Sequence, residues 1–389
     1  MSTVLTSPIA DKLASRARGV RQSYIRAVTR WIEEAGGVNL GQGTCPLQPH
    51  PDVTAAATEA MERGKNAYAP FDGVPPLKEA LVKRYAAYNG LRVGTENVLV
   101  SAGATGAFES VCKAFLEPGD EVVLLEPVYN YHLRQVEERG AVPRFVPLRA
   151  PEWSLDVAQL EAAFTPKTKL LVFSNPHNPS GKVFTREELQ AIGDACRRNG
   201  VIAVVDEVYE YILSAGARHV SMATLPGMFE HTLTMSSASK TLFVTGWRVG
   251  WVVGPAEVMP ALGVKSDETY VCAPTPLQHA VAATYAREDG FFEGVHDTFR
   301  AKAAKLVPAL QAAGFEARIP DGAYYVLAGY RALGWTSDVE AMRALIDTRR
   351  IGAIPANEFF IGGGDTGMLR FCFALPDSEI DRACELLAG

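Results

Sequence analysis

From about residue 95 the chain repeats one pattern, a short run of apolar, β-rich residues followed by a helical stretch. The runs 97–100, 121–125, 170–173 and 201–205 come first, and 231–235 and 249–253 continue the series. Strands that carry apolar residues at every position are covered on both faces, as parallel strands are when their crossover helices lie above and below them. The pattern predicts a large α/β domain built on a sheet to which the last two runs also belong.

The rhythm changes after about residue 290. A helical pattern over 291–313 stops at Gly314, mixed strands follow at 323–328 and 368–373, and two helices are expected at 338–349 and 377–387. That is α+β grammar and predicts a second, smaller domain. At the other end, residues 11–35 carry charges at helical spacing and read as an amphipathic helix ending at Gly36–Gly37. The expected division is an N-terminal segment 1–48 that joins the small domain, a large domain 49–288 and a small domain 289–389.

Composition narrows the function. With 48% apolar and 21% charged residues, the 389-residue chain has the balance of a globular protein with a sizeable core. A net charge of −6 gives no electrostatic footprint for nucleic acid. No apolar run reaches the roughly 20 residues needed to cross a bilayer, and the N-terminus lacks the pattern of a secretory signal. Six scattered cysteines, without CxxC pairs, read as reduced residues of a cytosolic protein. Seven histidines show no ligand spacing, so no dedicated metal site is expected.

Five segments carry chemistry. Ser236-Ser237-Ala238-Ser239-Lys240 puts a lysine just beyond an apolar strand, with Arg248 eight residues on. A lysine in a mostly buried turn has a depressed pKa and becomes a usable amine. Ser101-Ala102-Gly103-Ala104-Thr105-Gly106-Ala107 follows a strand and opens a helix, where small residues let backbone N–H groups approach a phosphate. Asn175-Pro176-His177-Asn178-Pro179 stiffens a loop and aims amide side chains; His177 reads as structural. Asp206 ends a strand at the edge where open α/β sheets place ligand contacts, and it also suits a helix N-cap. Arg370, alone among apolar neighbours in a strand of the small domain, needs a partner, and a ligand carboxylate is one candidate. Gly362 to Gly367 satisfies GxGxxG but precedes a strand, so it reads as a loop and not as a dinucleotide site.

In this order the segments resemble the class I/II aminotransferases, the fold-type I pyridoxal phosphate family that includes aspartate and kynurenine/glutamine aminotransferases. The resemblance runs from about Arg18 to Leu387 and takes in Asn39-Leu40-Gly41-Gln42-Gly43, Tyr68-Ala69-Pro70, the segment from Val271 to Gln278 and Pro320-Asp321-Gly322-Ala323-Tyr324-Tyr325. It implies a mostly parallel seven-stranded sheet with a smaller α+β domain, and an enzyme moving an amino group from an L-α-amino acid to a 2-oxo acid. Carried over, Lys240 is the Schiff-base lysine and proton carrier, and Asp206 pairs with the pyridine nitrogen. Asn178 and Tyr209 bind the phenolic oxygen, and Tyr129 stacks on the ring. Gly103, Ala104, Thr105, Ser237 and Arg248 form the phosphate site. Tyr68 reaches the phosphate of a neighbouring subunit, implying a homodimer with shared active sites. Arg370, Asn178 and the backbone of Gly43 hold the substrate α-carboxylate.

Two departures leave the chemistry and the substrate open. Relatives commonly have Gly-x-Pro-Asp/Glu where this chain reads Gly43-Thr44-Cys45-Pro46, and the stretch Lys265 to Tyr270, read as a solvated loop, offers no arginine for a distal carboxylate. β/γ-elimination, replacement or cyclisation in specialised metabolism on the same scaffold is the alternative reaction. A non-catalytic regulatory module is the reading from another class. It is disfavoured by the intact Lys240, Asp206 and Arg370, and by the short stretch ahead of Gly41.

Overall fold

The computed structural model describes residues 24–389 and a few earlier positions, 9, 12–14 and 17. Among the described residues twelve strands follow one another: β1 (Val38–Asn39), β2 (Val98–Ser101), β3 (Glu121–Glu126), β4 (Val142–Pro147), β5 (Thr168–Ser174), β6 (Ile202–Asp206), β7 (Thr232–Ser237), β8 (Gly250–Val253), β9 (Tyr325–Gly329), β10 (Ile351–Gly352), β11 (Ile354–Pro355) and β12 (Met368–Cys372). Seven form one sheet in the order β2-β8-β7-β6-β5-β3-β4. β8 runs antiparallel to both its neighbours, and the remaining pairs are parallel. This is the mostly parallel seven-stranded α/β sheet that the apolar runs and the family resemblance imply.

Alternation explains why the central strands show no polar positions. Val122 and Leu124 of β3, Leu170 and Val172 of β5 and Val204 of β6 enter one hydrophobic layer. Their neighbours Val123, Leu125, Leu171, Phe173, Ala203 and Val205 enter the layer on the opposite face. Truncating such a side chain, for instance Leu124→Ala, costs about 2–5 kcal/mol.

A three-stranded antiparallel sheet, β11-β12-β9, lies later in the chain, and β1 pairs with β10 in a separate two-stranded ladder. The helix Phe291–Ala312 precedes β9, Asp338–Arg349 lies between β9 and β10, and Asp377–Ala388 follows β12. The N-terminal helix is described over Tyr24–Ala35 and ends before Gly36, whose φ of +63° stops it. The earlier part expected over residues 11–23 lies for the most part outside the described residues.

Two details differ from the sequence expectation. β4 was not expected; Pro143, Pro147 and Arg144 suppress the apolar signal, and a strand at the sheet edge tolerates them. Residues 265–270 form the end of a helix, Met259–Tyr270, and not a loop. Asp267 and Glu268 are exposed on it, and Lys265 pairs with Glu268 across one turn.

Candidate active site

The parallel strands all end at the same edge of the sheet, and the reversed β8 begins there. That edge gathers the turn after β2, Tyr129 after β3, Asn178 after β5, Asp206 at the end of β6, Lys240 after β7 and Arg248 just before β8. A cavity of about 660 Å³ opens among them, lined by Ala104, Thr105, Tyr129, Asn178, Asp206, Tyr209, Ser237, Lys240 and Arg248. Segments far apart in sequence therefore converge at the carboxyl edge of an open sheet, the usual place for a ligand.

Lys240 sits one residue before the end of a short helix, Ala238–Thr241, capped by the Ser237 hydroxyl. Its Nζ donates to the Gly43 carbonyl at 3.4 Å and lies 5.5 Å from the Tyr324 ring centroid. The residue is reached from the cavity, yet enough protein surrounds the amine for burial to pull its pKa below the ordinary lysine value. A larger fraction of neutral amine follows.

Asp206 is buried and its Oδ1 accepts from the Val208 amide at 3.2 Å; a turn and not a helix follows it, so it caps no helix, and it faces the cavity. His132 approaches the other oxygen, with Nε2 at 3.3 Å from Oδ2. Tyr209 is buried, its hydroxyl 3.4 Å from that of Tyr325, and burial pushes its pKa well above the ordinary tyrosine value. Tyr129 is shifted upward for the same reason. Both phenols stay protonated.

The turn at Gly103 meets Arg248. Gly103 opens the helix Gly103–Phe115 with a φ of +73°, and a Cβ there would overlap the Arg248 guanidinium. Arg248, itself at φ +54°, donates to the Thr245 carbonyl at 2.9 Å and lies 3.4 Å from the Ser239 hydroxyl. The first amides of this helix, the hydroxyls of Ser237 and Ser239 and the guanidinium surround one end of the cavity. Together they suit an anion with several oxygens.

Arg370 and Gly43 do not line the cavity but adjoin it. Arg370 is buried in β12 between the rings of Tyr325 and Phe359, 4.4 and 4.7 Å from their centroids. It donates to the Gly41 carbonyl at 2.8 Å. The Gly43 carbonyl accepts from Lys240 and from the Tyr324 hydroxyl at 3.1 Å, and a Cβ at this position would overlap the Tyr325 hydroxyl. Tyr68 is not brought to the cavity; it is 82% exposed.

Pyridoxal phosphate can be tested against these residues. The cavity offers a primary amine, a carboxylate, an aromatic ring and a helix N-terminus backed by an arginine. The buried Oδ1 of Asn178 and Nε of Arg370 have no protein partner, and so leave polar groups for ligands to meet. The donor set fits the cofactor.

His132, Ser239, Tyr324 and Tyr325 were not assigned roles from the sequence. His132 follows Tyr129 by three residues on the helix Asn130–Glu138 and its N-cap, a spacing that puts both on one face. His177 is buried, with Nδ1 2.8 Å from the Ser180 hydroxyl, as a structural histidine would be. Away from the cavity, Glu207, Glu210 and His219 bring donor atoms within 4.8 Å of one another, a grouping no sequence spacing announced. Gly362 to Gly367 forms a loop ahead of β12, as expected.

The site thus has the composition of a pyridoxal phosphate enzyme on an α/β sheet. Residues 35–387 match the family Aminotransferase class I and II, and the chain belongs to that family. Kynurenine–oxoglutarate transaminase 3 of Rattus norvegicus is 33% identical, the match covering 99% of this chain and 92% of the relative. The solved N-succinyldiaminopimelate aminotransferase of Mycobacterium tuberculosis superposes with a TM-score of 0.92 at 33% identity, covering 97% of this chain and 99% of its own. YbdL of Escherichia coli, with a methionine aminotransferase function, gives 0.93 at 27% identity over 97% and 99%. The protein is a pyridoxal phosphate-dependent transaminase of fold type I, acting on amino acids and 2-oxo acids.

Proposed function

We propose that the cavity around Lys240 is where an L-α-amino acid gives up its amino group. The observation that carries this reading is the burial-depressed amine of Lys240 facing the same cavity as Asp206 and Arg248. The bound cofactor supplies an electron sink that acidifies the substrate Cα–H. Lys240 holds the cofactor covalently and then carries the proton at Cα, a task for which a neutral amine is needed. Asp206 keeps the proton on the pyridine nitrogen, oriented by Val208 N–H and His132. Asn178 and the protonated Tyr209 donate to the phenolic oxygen. Tyr129 covers the ring face. The amides of Ala104 and Thr105, Ser237 and Arg248 bind the phosphate, with Gly103 leaving room for the guanidinium.

Arg370 is assigned the α-carboxylate, with the Asn178 amide and the Gly43 backbone beside it. Among the described residues lining the cavity the lysine and arginine side chains are Lys240 and Arg248, both already assigned. Neutral donor side chains are therefore favoured over dicarboxylates. The absence of an arginine over 265–270 supports the same preference.

A homodimer with shared sites completes the reading. Tyr68 is exposed together with Met61, Phe71, Val264 and Val271, an apolar set suited to a second copy. The division 1–48, 49–288 and 289–389 is supported by the pairing of β1 with β10. A cytoplasmic location rests on composition, and no described helix is long and apolar enough to cross a membrane.

The Asp206→Ala variant tests the assignment. It should still bind pyridoxal phosphate while turnover falls by orders of magnitude; unchanged turnover would remove Asp206 from the site. For the shared site, Tyr68→Ala and Lys240→Ala proteins, each impaired alone, should regain activity when mixed and allowed to exchange subunits. No recovery would place Tyr68 outside the neighbouring site.

A further inference from the structure

Residues 357–361 form a bridge between the two sheets. The segment lies in the chain between β11 and β12, and its inner ring, Phe359, packs against the Arg370 guanidinium. Each of its ends is held by a side chain. The buried Asp338 carboxylate accepts from Asn357 N–H at 3.0 Å, and Glu126 Oε1 accepts from Ile361 N–H at 2.6 Å. Between them, the Asn130 amide donates to the Glu358 carbonyl at 2.8 Å, and the Phe359 carbonyl accepts from Val128 N–H at 2.7 Å.

The partners Glu126, Val128 and Asn130 bracket Tyr129, at the end of β3 in the seven-stranded sheet. Residues on either side of the ring-stacking tyrosine thus grip the strip that supports the carboxylate-binding arginine. Arg370 has little else to fix it: one bond to the Gly41 carbonyl, two flanking rings and an Nε with no protein partner. Phe359 is thus one of the few groups that fix its position relative to the cofactor ring.

We propose that Asn130 and Glu126 are positioning residues for substrate carboxylate recognition: by clamping the backbone of residues 358–361 across the two sheets, they hold Phe359 and Arg370 at a fixed distance from Tyr129. The inference rests on the reading of Arg370 as the α-carboxylate site. Neither side chain touches substrate in this account. Releasing the strip lets the guanidinium drift, which weakens binding of the amino acid and of the 2-oxo acid alike, since both carry the same carboxylate.

The experiment uses the cofactor-loaded enzyme and compares Asn130→Ala, Glu126→Ala, the acceptor-preserving Glu126→Gln and Arg370→Ala. Losing one bond of this kind corresponds to roughly five- to tenfold. KM for donor and acceptor should each rise by about that factor in Asn130→Ala and Glu126→Ala, with kcat and pyridoxal phosphate affinity close to wild type. Glu126→Gln should restore wild-type KM. In an Arg370→Ala background, Asn130→Ala should add nothing further, because its effect passes through the arginine. Glu126 lies at the segment's outer end, so its pair of variants keeps the test open if Asn130→Ala fails to fold. A loss of kcat or of melting temperature without a change in KM would overturn the proposal, as would additivity with Arg370→Ala. If Arg370→Ala itself leaves KM unchanged, the carboxylate reading falls; if it raises KM while Asn130→Ala and Glu126→Ala do not, the clamp alone falls.

Discussion

His132 Nε2 lies 3.3 Å from Asp206 Oδ2, and both residues are buried. The imidazole is wedged between the rings of Phe108 and Tyr129, 4.8 and 5.1 Å away, so it has little freedom to turn from the carboxylate. In the proposed assignment Asp206 meets the cofactor nitrogen, and the contact with His132 restrains the carboxylate for that role.

Replacing His132 with phenylalanine fills the space and removes the polar contact with the carboxylate. A polar contact to a charged group is worth up to about 1.5–3 kcal/mol, so kcat should fall on the order of 10- to 100-fold. Steady-state kinetics on the cofactor-loaded variant reads this directly. Wild-type turnover would mean that the Val208 amide alone orients Asp206.

Gly103→Ala should strike the phosphate end of the cavity. The added Cβ overlaps the Arg248 guanidinium, and the left-handed φ of +73° adds about 1–2 kcal/mol of backbone strain. The guanidinium is the mobile partner and will swing aside, so pyridoxal phosphate should bind about tenfold or more weakly. Titration of the cofactor-free protein measures the shift; an unchanged dissociation constant would show that Arg248 does not hold the phosphate.

Much of this was legible in the sequence because burial leaves a compositional trace. β3, β5 and β6 are apolar at successive positions since both their faces are covered, and Lys240, Asp206 and Arg248 stand out at the edges of such runs. β4 was not legible, because an edge strand accommodates two prolines and an arginine. His132 was not legible either. Its meaning depends on β3 and β6 being separated in the sheet by β5 alone, a fact of topology that no local pattern expresses. The grip of residues 126–130 on 357–361 is formed across more than 220 residues of chain, largely through backbone groups that carry no residue signature.

His177 should make stability depend on pH. Burial lowers its pKa from 6.5 to about 3, so the folded protein keeps it neutral while the unfolded chain protonates it. Between those values the unfolded state binds the extra proton. The contribution is therefore fully present above about pH 6.5 and declines as pH falls, by about 1.4 kcal/mol per pH unit. The stability gap between wild type and His177→Asn should narrow by that slope from pH 6 towards pH 4, as measured by denaturant unfolding. A gap independent of pH would mean that His177 is not held neutral.

The most direct test of the central assignment is a single half-reaction. Pyridoxal phosphate-loaded protein is mixed with a panel of neutral L-amino acids, without a 2-oxo acid acceptor, and the keto product is counted by mass spectrometry. The account predicts one equivalent of 2-oxo acid per chain from at least one donor, and none from Lys240→Ala. Product formation by Lys240→Ala at the wild-type rate, or a dehydrated or cyclised product in place of the oxo acid, would contradict it.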